Sequence, residues 1–287
     1  MSADRTHHLS PGADRRLLHA LSVSDLDTFD PHPGWHRRAN EAVLRIPVGV
    51  PVEAPDSVVT VEVGDHAGVA LYVGITGKTT ALQSLALSVC TLYPPARVQL
   101  AIADTQNGIA TWSDNARPPH VLAHYAGYRR SSDPPANWDN WCAQVEAALD
   151  RRTDQSQPEL LVLVDVVDEL LDLHPHVAGT LQRVVDEGPS KRVRLIMSST
   201  EQTSKFSSIR DLPGHPFEVT SDVVIALRTA TAQTSMDALG TPEAWHLPMS
   251  PVGLAYVRSA AGVIGGPIQL FHAAALAPEL ASRLITK

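Results

Sequence analysis

The segment LYVGITGKTTALQSL, residues 71–85, sets glycines, a lysine and two threonines between an apolar run and a helix-like run. Backbone N–H groups at a helix N-terminus carry partial positive charge, and with a lysine beside them they attract phosphate. In such a loop Lys78 would reach the β- and γ-phosphates of a nucleotide. Thr79 would hold Mg²⁺ through its hydroxyl, with Gly74, Thr76, Gly77 and Thr80 completing the cradle. The full spacing is G-x-x-x-x-G-K-[ST], yet Gly74 stands four positions before Lys78 rather than six. Two residues that would wrap the phosphates are missing. Taken alone, the same residues also fit an ordinary strand–turn–helix with an exposed lysine.

A phosphate loop needs an acidic residue at the C-terminal end of a neighbouring buried strand. LLVLVD, residues 160–165, is such a strand, and Asp165, its first polar residue, would support Mg²⁺. A glutamate that polarises the attacking water usually follows at once, but Val166 occupies that place. Asp168 and Glu169 come later, and Glu169 is the candidate base. The competing reading has Asp165 capping a helix and the later carboxylates solvated. Asp104 ends another strand before TQNG; it could sit near the nucleotide or start a turn, and it reads first as a turn starter. Ser198–Gln202 (SSTEQ) could sense a γ-phosphate or merely cap. Arg129-Arg130, Arg151-Arg152 and Lys191–Arg194 are the basic clusters, read first as solvated faces and second as pore or partner contacts.

These residues need a scaffold that alternates strands and helices. AVLRIPVGVP and SVVTVEVG read as strands, the second alternating like an exposed edge. VALYV, RVQLAIAD, PELLVLVD, RVRLIMSST and SDVVIALRT read as further strands, and PVGLAYVRSA with GPIQLFHA as a closing hairpin. TTALQSLALSVCTLY is helical, and NWDNWCAQVEAALDRR puts Trp138, Trp141, Val145 and Leu149 on one stripe. VDELLDL and VAGTLQRVVDEG are helical too, the second stopped by Gly188. RPPH is assigned to a loop. Residues 1–40 are a polar extension with one amphipathic piece, DRRLLHALSVSDL, and a linker, PHPGWHRRAN. Residues 41–287 form the main domain. The alternation points to an α/β fold with a mainly parallel sheet.

Composition sets outer bounds. The 287 residues are 44% hydrophobic and 5% aromatic, rich in Ala, Val and Leu, which suits a parallel sheet covered on both faces. A formal charge of −8 argues against a surface broadly committed to nucleic acid or acidic lipid. The first thirty residues lack the apolar core of a signal peptide, and no stretch reaches the roughly 20 apolar residues of a membrane span. A cytoplasmic chain is expected, without direct membrane insertion. Cys90 and Cys142 fit reduced thiols, and the 13 histidines lack metal-ligand spacing.

The order of these motifs resembles the FtsK/SpoIIIE family of P-loop motor ATPases, above all the EccC-type ATPase domains of type VII secretion. LRIPVGV, VGITGKTTAL, RVQLAIADTQNG, RPPHVLAHYAGY, VEAALDRRTDQ and PELLVLVD with VDELLDL carry the likeness, over roughly residues 40–275. The family loop reads like Gly-Thr-Thr-Gly-Ser-Gly-Lys-Ser. Gly74–Gly77 fit its first half and Lys78-Thr79 its end, and the Ser-Gly between is absent. The resemblance implies a RecA-like P-loop fold, ATP and Mg²⁺ as cofactors, and self-association or membership of a larger secretion motor. It also implies a neighbour's arginine completing the site. Two alternatives follow: a pseudo-ATPase module that binds a partner or a secreted protein's signal, and a DNA translocase of the plasmid-transfer kind. The acidic charge and the missing DNA-reading domain weaken the second.

Overall fold

A computed structural model describes residues 12–63, 69–109, 117–127, 135–153, 157–200, 221–259 and 269–275, with 280, 281 and 284. Its centre is a parallel array made of β3 (Val69–Val73), β4 (Val98–Asp104), β5 (Val121–Ala126), β6 (Glu159–Asp165), β7 (Val193–Ser199) and β8 (Val223–Ala226). Their spatial order is β8-β3-β7-β6-β4-β5. Beyond β8 the sheet continues antiparallel through β9 (Leu254–Ser259), β10 (Gln269–Ala273), β1 (Leu44–Pro51) and β2 (Val59–Val63). The expected mainly parallel α/β fold is therefore present, with an antiparallel wing.

Central strands are buried on both faces, so they read as unbroken apolar runs, and alternation decides which core each side chain joins. Ile102, Leu161, Leu163 and Ile196 face a core shared with α1 (Ala13–Ala20) and α3 (Lys78–Leu92). Ala101, Ala103, Leu160, Val162 and Val164 face the opposite core. That core also holds α4 (Pro135–Arg151), α5 (Val167–Leu173), α6 (Val177–Glu187) and α7 (Ala232–Leu239). Trp138, Trp141, Val145 and Leu149 point into it together, as their spacing predicts.

The helix that follows the candidate loop is unusual in being buried all round. Thirteen of the fifteen residues of α3 are buried, packed against β1, β6 and β7 of the sheet and against α2 (His32–Arg38). A helix covered on every side needs no polar stripe. Its serine hydroxyls are satisfied internally: Ser84 Oγ donates to the Thr80 carbonyl at 3.0 Å and Ser88 Oγ to that of Ser84 at 2.7 Å.

Three local expectations change. PHPGWHRRAN, read as a linker, forms α2, because Trp35 docks on the end of α3 and donates its indole N–H to the Cys90 carbonyl at 3.2 Å. Seven residues are too few to show a helical period, so the docking decides. After RPPH, VLAHYA becomes β5 at the sheet edge, where half-burial blurs the strand pattern. Gly188 does not end α6 in a left-handed turn. The chain passes into a 3₁₀ turn, Gly188–Lys191, and Arg192 takes the left-handed conformation at φ 57°. Glycine is still required at 188, since a Cβ there would come within 2.6 Å of the Val193 carbonyl oxygen.

Candidate functional site

Parallel pairing brings the C-terminal ends of β3, β4, β6 and β7 to one edge, where Asp104 is level with Asp165 and Val73 with Ser199. Ligands of open α/β sheets bind at this edge. Gly74–Gly77 cross from β3 to α3 there in four residues. Gly74 has φ 150° and Gly77, at the N-cap, φ 85°. A Cβ on Gly74 would lie 3.0 Å from the Arg228 carbonyl oxygen, and one on Gly77 3.0 Å from the Leu227 and Val252 side chains. The two lost residues therefore shorten the arch while Lys78 and Thr79 keep the first turn of α3. Gly77 has no side chain with which to cap that turn, whose first N–H groups have no partner within the helix. One arch amide is committed elsewhere: Ile75 N–H donates to the Arg228 carbonyl at 2.9 Å. Lys78 is buried, its Nζ donating to the Gly74 carbonyl at 2.6 Å. Thr76 and Thr80 are half-buried on the arch and the first turn.

Thr79 and Asp165 meet directly. Thr79 Oγ1 donates to Asp165 Oδ2 at 2.8 Å, and Ser198 Oγ donates to Asp165 Oδ1 at 2.7 Å. Asp165 is fully buried, and desolvation pushes its carboxyl up to about 6. The Ser198 and Thr79 hydroxyls and the Lys78 charge pull it down, while Asp104 pushes it up. A hydroxyl paired with a carboxylate is a donor set suited to a hard cation such as Mg²⁺. Among the described residues, no three His, Cys, Asp or Glu side chains gather as a metal site.

Val166 occupies a left-handed conformation, φ 56° and ψ 64°, with 3% of its surface exposed. A β-branched residue is strained there. Its N–H donates to Ser198 Oγ at 2.7 Å. Ser198, considered as a phosphate sensor, is thus fully buried and engaged by both Asp165 and Val166. It orients the aspartate. Glu201 and Gln202 lie outside the described residues.

The carboxylates of α5 are not simply solvated. Asp168 accepts from the Thr200 N–H at 3.1 Å and from the Thr200 hydroxyl. Glu169 is half-buried and accepts from Gln106 Nε2 at 2.8 Å. The turn expected at Asp104 is present: its carboxylate accepts from Gly108 N–H at 3.0 Å and Ile109 N–H at 2.9 Å. That turn also grips the site. Thr105 Oγ1 donates to the Asp165 carbonyl at 2.6 Å, and Gly108 presses on Thr79 so closely that a Cβ would fall 2.4 Å from Thr79 Cγ2. Sequence reasoning misses Gln106 and Gly108, although the Asp-x-x-x-Gly spacing of a side-chain-capped turn is a usable signal.

The basic clusters form the expected solvated faces only in part, Arg151 being exposed. Arg152 is buried and donates to the Ala148 and Pro158 carbonyls, while Arg192 and Arg194 pair with buried Glu159. Lys191 does sit at the surface, on Glu187. Arg129-Arg130 lie outside the described residues. Cys90 and Cys142 are buried in α3 and α4.

No protein-family model matches the chain. In sequence it is similar to the ESX-4 secretion system protein EccC4 of Mycobacterium tuberculosis, 25% identical over 291 residues, spanning 90% of this chain and 23% of that protein. In structure it is similar to the cytoplasmic domain of the Thermomonospora curvata type VII secretion ATPase EccC. The TM-score is 0.67 at 21% identity, over 95% of this chain and 34% of that one. ATPases 2 and 3 of the same organism's EccC, in complex with a signal sequence peptide, give a TM-score of 0.53 at 17% identity, covering 83% of this chain and 41% of that one. The chain spans about a quarter of the length of the curated relative it matches. Among the described residues no helix is long and apolar enough to cross a membrane. Over nearly its whole length, the chain is similar to one part of the EccC-type ATPases of type VII secretion.

Proposed function

We propose that this chain is an ATP- and Mg²⁺-binding, motor-type domain that works within a larger type VII secretion assembly. The Thr79–Asp165 hydrogen bond carries the reading, because it joins the shortened loop to the acid-tipped strand. Lys78 and the N-terminal amides of α3 would hold the phosphates, with Gly74, Thr76, Gly77 and Thr80 shaping the cradle. Thr79 and Asp165 would hold Mg²⁺, which when bound neutralises phosphate charge. Glu169 is the candidate base.

A second reading, a module that binds a partner or a secretion signal with little hydrolysis, is favoured by a specific feature. The arch is two residues short, one of its amides is committed to Arg228, and a buried valine follows Asp165. The relative solved with a signal sequence peptide illustrates such a partner.

Titration with ATP and Mg²⁺, together with turnover, for wild type and Lys78→Ala separates the two. Binding in the wild type that weakens at least tenfold in Lys78→Ala, a loss of about 1.4 kcal/mol or more, supports a working loop. No binding by either protein at millimolar ATP leaves the module alone. Turnover that rises on addition of double-stranded DNA would instead favour translocation.

A further inference from the structure

Position 166 is closed to the chemistry a glutamate performs after an acid-tipped strand. Its side chain is buried, its backbone is left-handed and its N–H is locked on Ser198. Two carboxylates stand on the first turn of α5, one helical turn beyond Asp165. Thr200 engages Asp168 through both its N–H and its hydroxyl, which ties Asp168 to the exit of β7. Glu169 is held from the other side, by Gln106.

Gln106 belongs to the Asp104–Ile109 turn, and that turn touches the candidate site at two further points. Thr105 grips the Asp165 carbonyl, and Gly108 lies against Thr79. The turn is itself held by two hydrogen bonds to the fully buried Asp104 carboxylate. One short piece of chain therefore sets Thr79, Asp165 and Glu169 in register. A side-chain amide that donates to a carboxylate narrows its rotamers. A fixed position is what a base waiting for a proton requires.

Resting on the ATP-binding reading, we propose that Gln106 is a positioning residue: it holds the Glu169 carboxylate in register with Thr79 and Asp165, so that the Gln106–Glu169 pair supplies what position 166 cannot.

The test uses the full chain and compares wild type, Gln106→Leu, Gln106→Lys, Glu169→Gln and the Gln106→Leu/Glu169→Gln double variant. Binding of fluorescent MANT-ATP and steady-state Mg²⁺·ATP hydrolysis are measured between pH 5.5 and 8.5. Gln106→Leu should lower kcat about tenfold with MANT-ATP affinity unchanged. Glu169→Gln should lower kcat about a hundredfold, and adding Gln106→Leu should take away nothing more. Gln106→Lys, whose ammonium also donates to Glu169, should recover most of the loss. Should Gln106→Leu melt early, Gln106→Lys against Glu169→Gln carries the decision.

Unchanged kcat in Gln106→Leu, or full additivity in the double variant, overturns the proposal. A wild type that binds MANT-ATP without turning it over also overturns it, yet leaves the ATP-binding reading standing. Absence of MANT-ATP binding overturns both.

Discussion

Asp165 is the residue whose environment costs the fold most visibly. Burial raises its carboxyl from an ordinary 3.8 to about 6, so between those values the folded state binds the proton more tightly than the unfolded chain. The stability linked to this group is fully present below about pH 4 and is lost as pH rises through 6. A rise of about two units corresponds to about 3 kcal/mol. Asp165→Asn keeps an acceptor for Ser198 and lets the Thr79 hydroxyl turn to accept instead. It should raise the melting temperature by several degrees at pH 7.5, with the gain vanishing towards pH 4. Thermal melts at the two pH values check this, and an equal gain at both would refute the charge argument. At this scale Lys78, Thr79 and Asp165 were legible, because a charged residue at the end of an apolar run stands out against its neighbours. Ser198, Gln106 and Gly108 were not. Their roles come from β7 lying beside β6 and from a turn folding back on α3.

Among the elements, the N-terminal helices look dispensable in sequence yet share the core of the main domain. Leu17, Leu21, Val23 and Leu26 are buried in one cluster with Leu44 and Ile46. Trp35 packs edge-on to His120 at 5.5 Å while its N–H caps the end of α3. The far end of α3 is thus stapled by α2. Leu17→Ala, which empties a site with no exposed surface, should cost about 3 kcal/mol. Urea unfolding followed by fluorescence measures it. A loss under about 0.5 kcal/mol, typical of surface positions, would mean that residues 1–40 are a separate extension, as their polarity suggests. The amphipathic run in α1 was readable because eight residues show their apolar side. The seven of α2 and the half-covered β5 were not, since their neighbours fix them.

At the scale of the whole molecule, two polar centres stand at opposite ends of the sheet among the described residues. At the C-terminal edge of the sheet lies the candidate site. At the other end Glu159, at the start of β6, sits 2.9 Å from both Arg192 and Arg194, with Arg97 at 3.8 Å. Arg97 also donates to the Glu41 and Ala42 carbonyls, which ties the N-terminal segment to this end. Removing the one acid leaves buried guanidinium groups uncompensated, so Glu159→Gln should destabilise by about 3 kcal/mol. Nucleotide affinity should hardly change, because the loop is at the opposite edge. Chemical unfolding alongside nucleotide titration separates the two effects. A variant as stable as wild type would show that carbonyl contacts alone satisfy the arginines.

The amino-acid sequence by itself determined the alternation of strands and helices, the approximate place of most of them, and the loop and the acid that would serve one site. Periodicity and the rarity of charged residues at strand ends are local properties that a sequence displays directly. Only the tertiary structure decided that Lys78 and Thr79 keep the first turn of α3 despite the shortened arch, and that position 166 is closed. The pairing of Glu169 with Gln106, and of three arginines with one glutamate, was likewise invisible. Those outcomes depend on which strands become neighbours, and strand order is set by packing between residues far apart in the chain.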